Sequence, residues 1–465
     1  MPSASPSTAA RRTAARGTAS QRGFSLVELL VVIGIIATMT GLVLGGLFRS
    51  RDGNRLLAAE HVLADSIRQA RHTARSTGSP VELRLTPVLS GTEVVGAKLA
   101  GVSRVVLWSE TFDKERDSDD NGVIDDNIPL PDVGQPPNGV VLGRSGNGRL
   151  ASADHPIPTR ALPRGANIVR SGRTDGFYLA CSVQPPRITG LTTIIIPLVM
   201  IGEDGSRETS QCGIGLRPHQ ATIQQRTPNN PNDLAALVTG WDLTGWVCDE
   251  AGVEFALNAS TDPITTRLAR EPWALGPELA NLISGGQWVD VGLLYDGRRM
   301  VLYLNGQRIA ERRTGVPATL RADGEQLHIG SLLTVGPPAT IDYAPAPIDD
   351  IRLYRLGGGD VADLPGNVVL VPGVRAAATA TIGWRILCQP DGRVEVTRDD
   401  DTETAPINDR ETTIAPGPRA GHTATIVLGQ LRSPGTIQNA ELTVTLDGRV
   451  LSRLLSEQPV GAPAQ

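Results

Sequence analysis

The sequence predicts an α+β protein in which one long N-terminal helix precedes a series of β-rich segments. Three observations lead to this prediction. Residues 24–48 form an almost uninterrupted apolar run, residues 49–77 continue it with helical spacing, and the rest of the chain alternates short strand-like runs with turns rich in Gly and Pro. At 465 residues, the chain has room for two or three folded units beyond the helix.

The apolar run at 24–48 is long enough to cross a bilayer. About 20 apolar residues in a helix span a hydrocarbon core of roughly 30 Å, and this run contains a single charge, Glu28. A carboxylate at membrane depth costs about 2.5–3.5 kcal/mol or more unless it is paired. Because the run contains no cation, the partner of Glu28 must come from another chain or from an amine that processing creates.

Residues 23–37, GFSLVELLVVIGIIA, resemble the N-terminal signature of type IV prepilins and type II secretion pseudopilins. The resemblance implies that a prepilin peptidase cleaves between Gly23 and Phe24, and that the new terminal Phe24 is N-methylated. It further implies that Glu28 pairs with the terminal ammonium of another pilin-like subunit during assembly. Residues 1–23 would then be a cytoplasmic leader, and residues 24–48 a single span of the inner membrane. The bulk of the chain would lie outside the cytoplasm, in a periplasmic or surface filament. An uncleaved membrane anchor is the alternative.

The composition argues against some classes of ligand for the chain. The net charge is −5, and removal of a leader that carries four Arg and no acid would bring it near −9. An acidic exterior argues against nucleic acid as the main ligand. The four cysteines have no CxxC spacing, which argues against zinc. They fit one or two disulfides or buried thiols, and Cys181–Cys212 is the pair we expect if a bridge forms.

The helix is predicted to continue as an amphipathic segment through residues 49–77. Apolar residues recur there at three- and four-residue steps, and no Pro occurs before Gly78-Ser79-Pro80, a sequence typical of a helix end. Residues 81–85 then alternate like a half-buried strand. The stretch 54–85 resembles the H-type minor pseudopilins, a FimT/GspH-like group, in which such a helix leads into the first strand of a pilin-like headgroup. This strand opens a first region, 78–165.

An acidic loop lies within that region. In DSDDNGVIDD (117–126), five residues have the spacing of oxygen ligands in a calcium loop, and Gly122 occupies the sharp turn. The bidentate Glu of an EF-hand is absent, so the loop is either a calcium site or a solvated acidic turn. No other cofactor is predicted. The candidate ligands are Asp117, Asp119, Asn121, Val123 and Asp125.

Residues 166–358 are predicted to form an all-β domain. Short apolar runs are separated by turns, and Asn305-Gly306 between two alternating runs predicts a type I′ hairpin. The segments 287–311, 327–331 and 348–356 resemble laminin-G-like domains with a concanavalin A-type jelly roll. This resemblance implies a β-sandwich that binds a glycan or protein ligand.

Binding is favoured over hydrolysis in this domain. Hydrolases on this fold use two carboxylates across the scissile bond, in a Glu-x-Asp-x-(x)-Glu pattern that the sequence lacks. Aromatic rings can stack on sugars. Trp241 and Trp246, in a stretch with Gly and Thr, are predicted to form an exposed ligand-binding platform.

Residues 359–465 return to a pattern of strands and turns. Segments 383–396 and 440–454 resemble the last strands of H-type pseudopilins. We expect this region to complete the headgroup, with the jelly roll inserted, because one helix and one strand cannot bury a core. A serial arrangement with a separate small β domain is the alternative.

Two functions from different classes follow, and catalysis is not expected. The first is a structural minor pseudopilin of a type II secretion or type IV pilus-like apparatus that presents a ligand-binding jelly roll. The second is a membrane-anchored, adhesin-like binding protein outside any filament. The sequence contains no HExxH, GxSxG or Gly-rich phosphate loop, so we predict that the protein is not an enzyme.

Overall fold

The structure of the protein is a computed structural model. The chain divides into two compact units, Met1–Asn54 and Arg55–Gln465. The structure describes residues 26–90, 93–101, 105–110, 140–142, 147–149, 159–162, 168–170, 173–174, 176–188, 195–223, 236–260, 282–322, 324, 326–334, 340–344, 346–357, 361–365, 368–371, 383–399, 405–409, 423–432, 436–455 and 458–459.

The long helix α1 spans Leu26–Thr77. Gly78 follows with a φ of 64°, and the Ser79 amide donates to the carbonyl of Ala74 (3.2 Å). This bond is the 6→1 closure of a Schellman motif, so the helix ends where the sequence predicted. Within the part of the chain that the structure describes, no helix combines the length and apolar character needed to cross a membrane. The membrane span at residues 24–48 stays a prediction.

The rest of the described chain is almost entirely β. One short 3-10 helix, Ile407–Asp409, lies among the last strands. The strands are β1 (Val81–Ser90), β2 (Glu93–Ala100), β3 (Val105–Glu110), β4 (Val140–Leu142), β5 (Asn147–Arg149), β6 (Arg160–Ala161), β7 (Val169–Arg170), β8 (Arg173–Thr174), β9 (Phe177–Val183), β10 (Ile196–Gly202), β11 (Ser210–Ile223), β12 (Ala236–Cys248), β13 (Glu254–Asn258), β14 (Val289–Tyr295), β15 (Met300–Leu304), β16 (Gln307–Arg312), β17 (Gln326–Ile329), β18 (Ser331–Thr334), β19 (Thr340–Tyr343), β20 (Ile348–Arg355), β21 (Val361–Asp363), β22 (Val368–Leu370), β23 (Trp384–Cys388), β24 (Val394–Arg398), β25 (Thr423–Arg432), β26 (Thr436–Thr445), β27 (Val450–Leu454) and β28 (Gln458–Pro459).

The second half of α1 packs on two antiparallel sheets, and together they form the head. Sheet A has the order β21-β2-β1-β23-β24, and sheet B has the order β22-β25-β26-β27, with β28 also on β26. One apolar core joins them: the helix side includes Leu56, Leu63 and Ile67, sheet A includes Leu83 and Ile386, and sheet B includes Ile426 and Leu442. Sheet A is therefore built from strands that precede and follow the segment Val105–Arg355.

That intervening segment forms a sandwich with its own core. Sheet C has the order β16-β15-β14-β9-β20-β5-β4, with β3 also on β20, and sheet D has the order β13-β12-β11-β10-β17-β6. Alternate residues of both sheets point inward and fill one cluster, which includes Leu179, Leu293 and Leu353 from sheet C and Ile214 and Leu243 from sheet D. The domain boundaries drawn from the sequence stay predictions, but the strand pairing favours the inserted arrangement.

Local sequence signals located most of the long strands but missed β2 and β12, together with the short strands β4–β8, β18, β19, β21 and β28. Asn305 (φ 50°) and Gly306 (φ 76°) have positive φ at both central positions, as a type I′ turn between β15 and β16 requires. The strand β2 was missed because its run contains Gly and Lys. The strand β12 was missed because its Gly and Thr residues resemble a loop.

The predicted Cys181–Cys212 disulfide is wrong, since all four cysteines are free and buried. Cys181 belongs to β9 of sheet C, whereas Cys212 belongs to β11 of the facing sheet D. Both thiols fill space in the core between two sheets that pack roughly 10 Å apart. Burial raises the pKa of Cys212 well above its usual range and keeps this thiol protonated.

Candidate functional site

The residues predicted to direct processing and assembly lie at the start of the chain. Gly23 and Phe24 precede α1 and are outside the described residues. Glu28 lies in the first turns of α1, and its side chain is likewise outside them. Their roles stay predictions from the motif.

The calcium loop also falls outside the described residues, from Asp117 to Asp125. In the described portion of the chain, no group of three or more His, Cys, Asp or Glu is arranged to hold a metal ion. Calcium binding therefore stays a prediction of the loop sequence.

The predicted exposed tryptophan platform is wrong. Trp241 and Trp246 are 3 % and 1 % exposed, because β12 is a central strand of sheet D, between β11 and β13. The Trp241 ring belongs to the sandwich core and donates its Nε1–H to the carbonyl of Pro186 (2.7 Å). Trp246 lies on the other face, where it donates to Ser210 Oγ (2.8 Å) beneath the Arg207 guanidinium, 4.6 Å from the ring centroid. Neither ring is available to stack on a ligand.

Part of the outer face of sheet C docks on the head through buried charged side chains. We call this contact the seam. Arg299, next to β15, is 2 % exposed and pairs with Glu395 of β24, which is 1 % exposed. Arg308 donates to the second oxygen of Glu395 at 2.7 Å. Two sandwich arginines thus share one buried carboxylate of the head.

Further charges surround this pair. Arg299 also contacts Asp296 (2.9 Å) and Glu311 (3.0 Å), both from the sandwich. Arg313 joins Glu311 to Asp409 of the head, at 2.7 and 2.6 Å. The positive and negative groups alternate, so each buried charge has at least one opposite neighbour.

The arginines determine the ionisation of the central carboxylate. Burial by itself would raise the pKa of Glu395, but Arg299 and Arg308 outweigh it and lower this pKa to about 2. Glu395 is therefore ionised throughout the physiological range. The Gln389 amide donates to the same carboxylate (2.8 Å) and accepts from the Tyr303 hydroxyl.

A second part of the outer face of sheet C stays open as a small pocket of about 230 Å³ beside the end of α1. Because β9 pairs with β14 on one side and β20 on the other, the side chains that line the pocket lie next to one another across the three strands. Gly292 pairs with Ala180 in the middle, where the Tyr178 ring lies against Gly292; Tyr178 pairs with Tyr354 on one side, and Ser182 pairs with Asp290 on the other. The lining is completed by Thr77, Gly78, Ser79, Cys181, Val291, Asn305, Gly306, Asp350 and Arg352.

Backbone geometry contributes to this pocket. Asp350 has a φ of 50°, and the register of β20 against β9 shifts between Asp349 and Arg352. A bulge of this kind re-aims side chains, and here Asp350 lies beside Arg352, which donates to it at 3.1 Å. On the opposite side, the Ser182 hydroxyl donates to Asp290 (2.7 Å).

Sequence reasoning missed both the seam and the pocket. The positive φ of Asp350 and the register shift beside it have no signal in the local sequence. Arg299, Arg308 and Glu395 have no distinguishing local pattern, because Glu395 lies 96 residues from Arg299 and 87 residues from Arg308 in the chain. The contact of the Tyr178 ring with Gly292 could have been predicted only if the register of β14 and β9 had been known.

No curated protein matches the chain. Among solved structures, the chain is similar to domain 4 of AbnA, a GH43 extracellular arabinanase from Geobacillus stearothermophilus in complex with arabinotriose. The identity is 15 %, the match covers 55 % of this chain and 95 % of that one, and the TM-score is 0.27. It is also similar to the CBM40 of the Ruminococcus gnavus IT-sialidase bound to α2,3-sialyllactose, at 15 % identity over 46 % and 91 % of the two chains with a TM-score of 0.27.

The binding domain of botulinum neurotoxin serotype G is another similar structure. Its identity is 9 %, the match covers 73 % of this chain and 75 % of that one, and the TM-score is 0.32. At TM-scores of this size, none of these similarities carries an argument about the fold or ligand of the present chain.

The family comparison concerns the N-terminus. Residues 18–44 match the model described as the prokaryotic N-terminal methylation motif. This match covers the predicted cleavage junction Gly23–Phe24 and Glu28, and so agrees with the resemblance found in the sequence. The chain therefore carries the N-terminal methylation motif of prepilins.

Proposed function

We propose that the protein is a pilin-like subunit, a minor pseudopilin, of a bacterial type II secretion or type IV pilus-like apparatus. It is cleaved after Gly23, N-methylated at Phe24 and anchored in the inner membrane by residues 24–48. The single observation that carries this proposal is the methylation motif at residues 18–44. The continuation of the same helix into the core of the head supports it.

The sandwich is proposed to present a ligand-binding surface from the head, and the protein is proposed to have no catalytic role. A domain as long as Val105–Arg355 would crowd a fibre if every subunit carried it. A minor position in the filament avoids that crowding. The seam supports a fixed presentation, because its buried ion pairs hold the sandwich on the head.

The N-terminal mass of the purified full-length product tests processing. We expect a chain that begins at N-methylated Phe24. The variant Gly23→Ala should retain the leader, because the family's peptidase cuts after this glycine. An intact, unmodified Met1 terminus in the wild-type protein would contradict the proposal and favour an anchored binding protein outside any filament.

Assembly is tested separately with Glu28→Ala. Loss of the carboxylate removes the counter-ion of the neighbouring terminal ammonium, so we expect normal cleavage but loss of incorporation into sheared filaments. Asp65→Ala is the matched control, because Asp65 is an acid of the same helix whose side chain is 72 % exposed and pairs with Arg68 three residues away. Equal incorporation of the two variants would contradict the proposed role of Glu28.

A further inference from the structure

We propose that the end of the hairpin formed by β1 and β2 lies against the lipid surface when the subunit is anchored in a bilayer. Apolar side chains make the contact, and the partner is the headgroup region of an anionic phospholipid membrane. This inference rests on the proposed membrane anchor at residues 24–48 and adds a second membrane contact to it. Such a contact holds the head at the membrane surface before the subunit enters a filament.

The end of this hairpin extends beyond the rest of sheet A. The strand β23 pairs with β1 only as far as Leu85, which lies opposite Trp384. The strand β21 pairs with β2 only over Lys98–Ala100. In the described part of the chain, no third strand therefore pairs with the end of the hairpin. We call this end, Val88–Ser90 with Glu93–Gly96, the ribbon.

The ribbon is apolar, whereas the exposed end of a hairpin usually consists of small and polar residues. Leu89 is 51 % exposed and Val95 is 42 % exposed. Val88 and Val94, which lie next to them in the chain, are only partly buried. The register of the two strands shifts between Val88 and Leu89, and a bulge of this kind bends a strand. The ribbon therefore presents an apolar surface that the head leaves partly uncovered.

The ribbon lies at the end of the head where α1 enters it. The strand β1 follows the helix after a short connection, residues 78–80, and runs back along it because both pack in the same core. The strand from Val81 to Ser90 measures about 30 Å. The helix from Thr77 back to Arg55 measures about 33 Å. Ser90 therefore lies near the level of Arg55.

The predicted membrane span ends close to this level. Phe48, its last residue, precedes Arg55 by seven residues, which measure about 10 Å in a helix and at most about 25 Å in an extended chain. Arg49 and Arg51 belong to this interval, together with a single acid, Asp52. Arginines beside a membrane span attract anionic headgroups. The surface of an anionic bilayer is therefore within reach of the ribbon and complements the charge beside it.

The test measures the depth of the ribbon in vesicles that hold the full-length chain. Leu89→Cys carries a nitrobenzoxadiazole label in vesicles of phosphatidylethanolamine and phosphatidylglycerol, and the quenchers are lipids with a nitroxide just below the headgroup. The four native cysteines are buried, which favours labelling of the introduced thiol. Leu451→Cys is the matched control, because Leu451 is 61 % exposed. It follows Gly448, which lies against Arg71 near the other end of the helix.

We expect the lipid nitroxides to quench the label at Leu89 at least about twofold more than the label at Leu451, because interfacial apolar groups enter about 5–10 Å into the headgroup boundary. A second label, at Thr86→Cys, reports on the hairpin without changing its apolar side chains. In that background, Leu89→Ser combined with Val95→Ser should reduce quenching by at least about half. Leu451→Ser should leave it unchanged. Replacement of phosphatidylglycerol by phosphatidylcholine should also reduce quenching.

Four results would overturn the inference. They are equal quenching of the labels at Leu89 and Leu451, a Thr86 label that does not respond to the paired serine substitutions, equal quenching in anionic and neutral vesicles, and a Leu89 label that is shielded from water but not quenched by lipid. The last result would place protein, such as a second copy of the chain, over the ribbon.

Two further measurements keep these results interpretable. Melting curves verify that each variant is folded. Extraction of the wild-type vesicles with alkaline carbonate reports the anchor by itself: release of the chain would contradict the anchor at residues 24–48 and this inference with it. A chain that resists extraction but shows no quenching at Leu89 would contradict this inference alone, so the two failures are distinguishable.

Discussion

The head and the sandwich bury comparable apolar cores but assemble them from the chain in different ways. The sandwich takes its strands from the segment Val105–Arg355, with two sheets facing each other. The head combines a helical stripe with strands from both sides of that segment, and β1 pairs with β23 so that Leu85 lies opposite Trp384. Sheet A of the head can therefore be completed only after the whole sandwich has been synthesised.

The contact between the two regions differs from both cores in its chemistry. Each core is apolar, whereas the seam is dominated by arginines and carboxylates with apolar contacts such as Leu387 beside Tyr303. Buried ion pairs add little net stability over a well-packed apolar contact, but they strongly penalise a wrong arrangement. The difference suggests that the cores provide stability and the seam determines how the two regions fit together.

The largest expected effect comes from breaking the seam. Glu395→Gln would leave Arg299 and Arg308 buried without their shared carboxylate. We expect a loss of about 3–5 kcal/mol in the free energy of unfolding, measured by denaturant titration. Asp363→Asn, at a surface pair with Lys98, is the matched control and should change stability by less than about 1 kcal/mol. Similar values for the two variants would contradict a structural role for the seam.

Substitutions that create a cavity in either core test whether the head and the sandwich unfold together. Leu63→Ala in the head and Leu293→Ala in the sandwich both remove fully buried side chains, and each should cost about 2–5 kcal/mol. If the seam couples the regions, calorimetry should record one transition that moves in both variants. Two transitions, each sensitive to only one variant, would indicate independent unfolding.

Acid should weaken the seam before it affects the apolar cores. The pKa of Glu395 in the folded protein is about 2, below the 4.5 that is usual for a glutamate. Its contribution to stability is therefore fully present above pH 4.5 and is lost as the pH falls toward 2. We expect a decrease of about 3 kcal/mol across this window, measured by denaturant titration at each pH. Glu395→Gln should lose this part of the pH dependence, and an unchanged profile would contradict the assignment.

The smallest expected effect concerns a polar residue within the head core. Glu60 is 4 % exposed on the helix, and its Oε2 has no hydrogen-bond partner among the described residues. Burial of a carboxyl group without a partner opposes folding. Glu60→Leu should therefore raise the unfolding free energy by about 1 kcal/mol, whereas the exposed control Asp65→Leu should not. A destabilised Glu60→Leu would indicate that this carboxylate has a favourable partner.

Local sequence patterns predicted the positions of the helix and strands more reliably than the burial of the residues in them. The helix predicted over residues 24–77 is observed as Leu26–Thr77, and the segments predicted at 81–85 and 348–356 are observed as β1 and β20. By contrast, Trp241 and Trp246 were expected at the surface because Gly and Thr surround them. Their burial follows from the central position of β12 in sheet D, which no local pattern reveals.

The sequence by itself determined the N-terminal motif, the end of α1 at Gly78 and the Asn305-Gly306 hairpin. Each depends on residues close together in the chain, where apolar spacing and backbone preference act directly. The tertiary structure alone decided the pairing of β1 with β23, the charge network around Glu395 and the pocket beside Asp290. These features depend on strand register and on contacts between distant segments, and many arrangements of the same local elements would satisfy the sequence equally well.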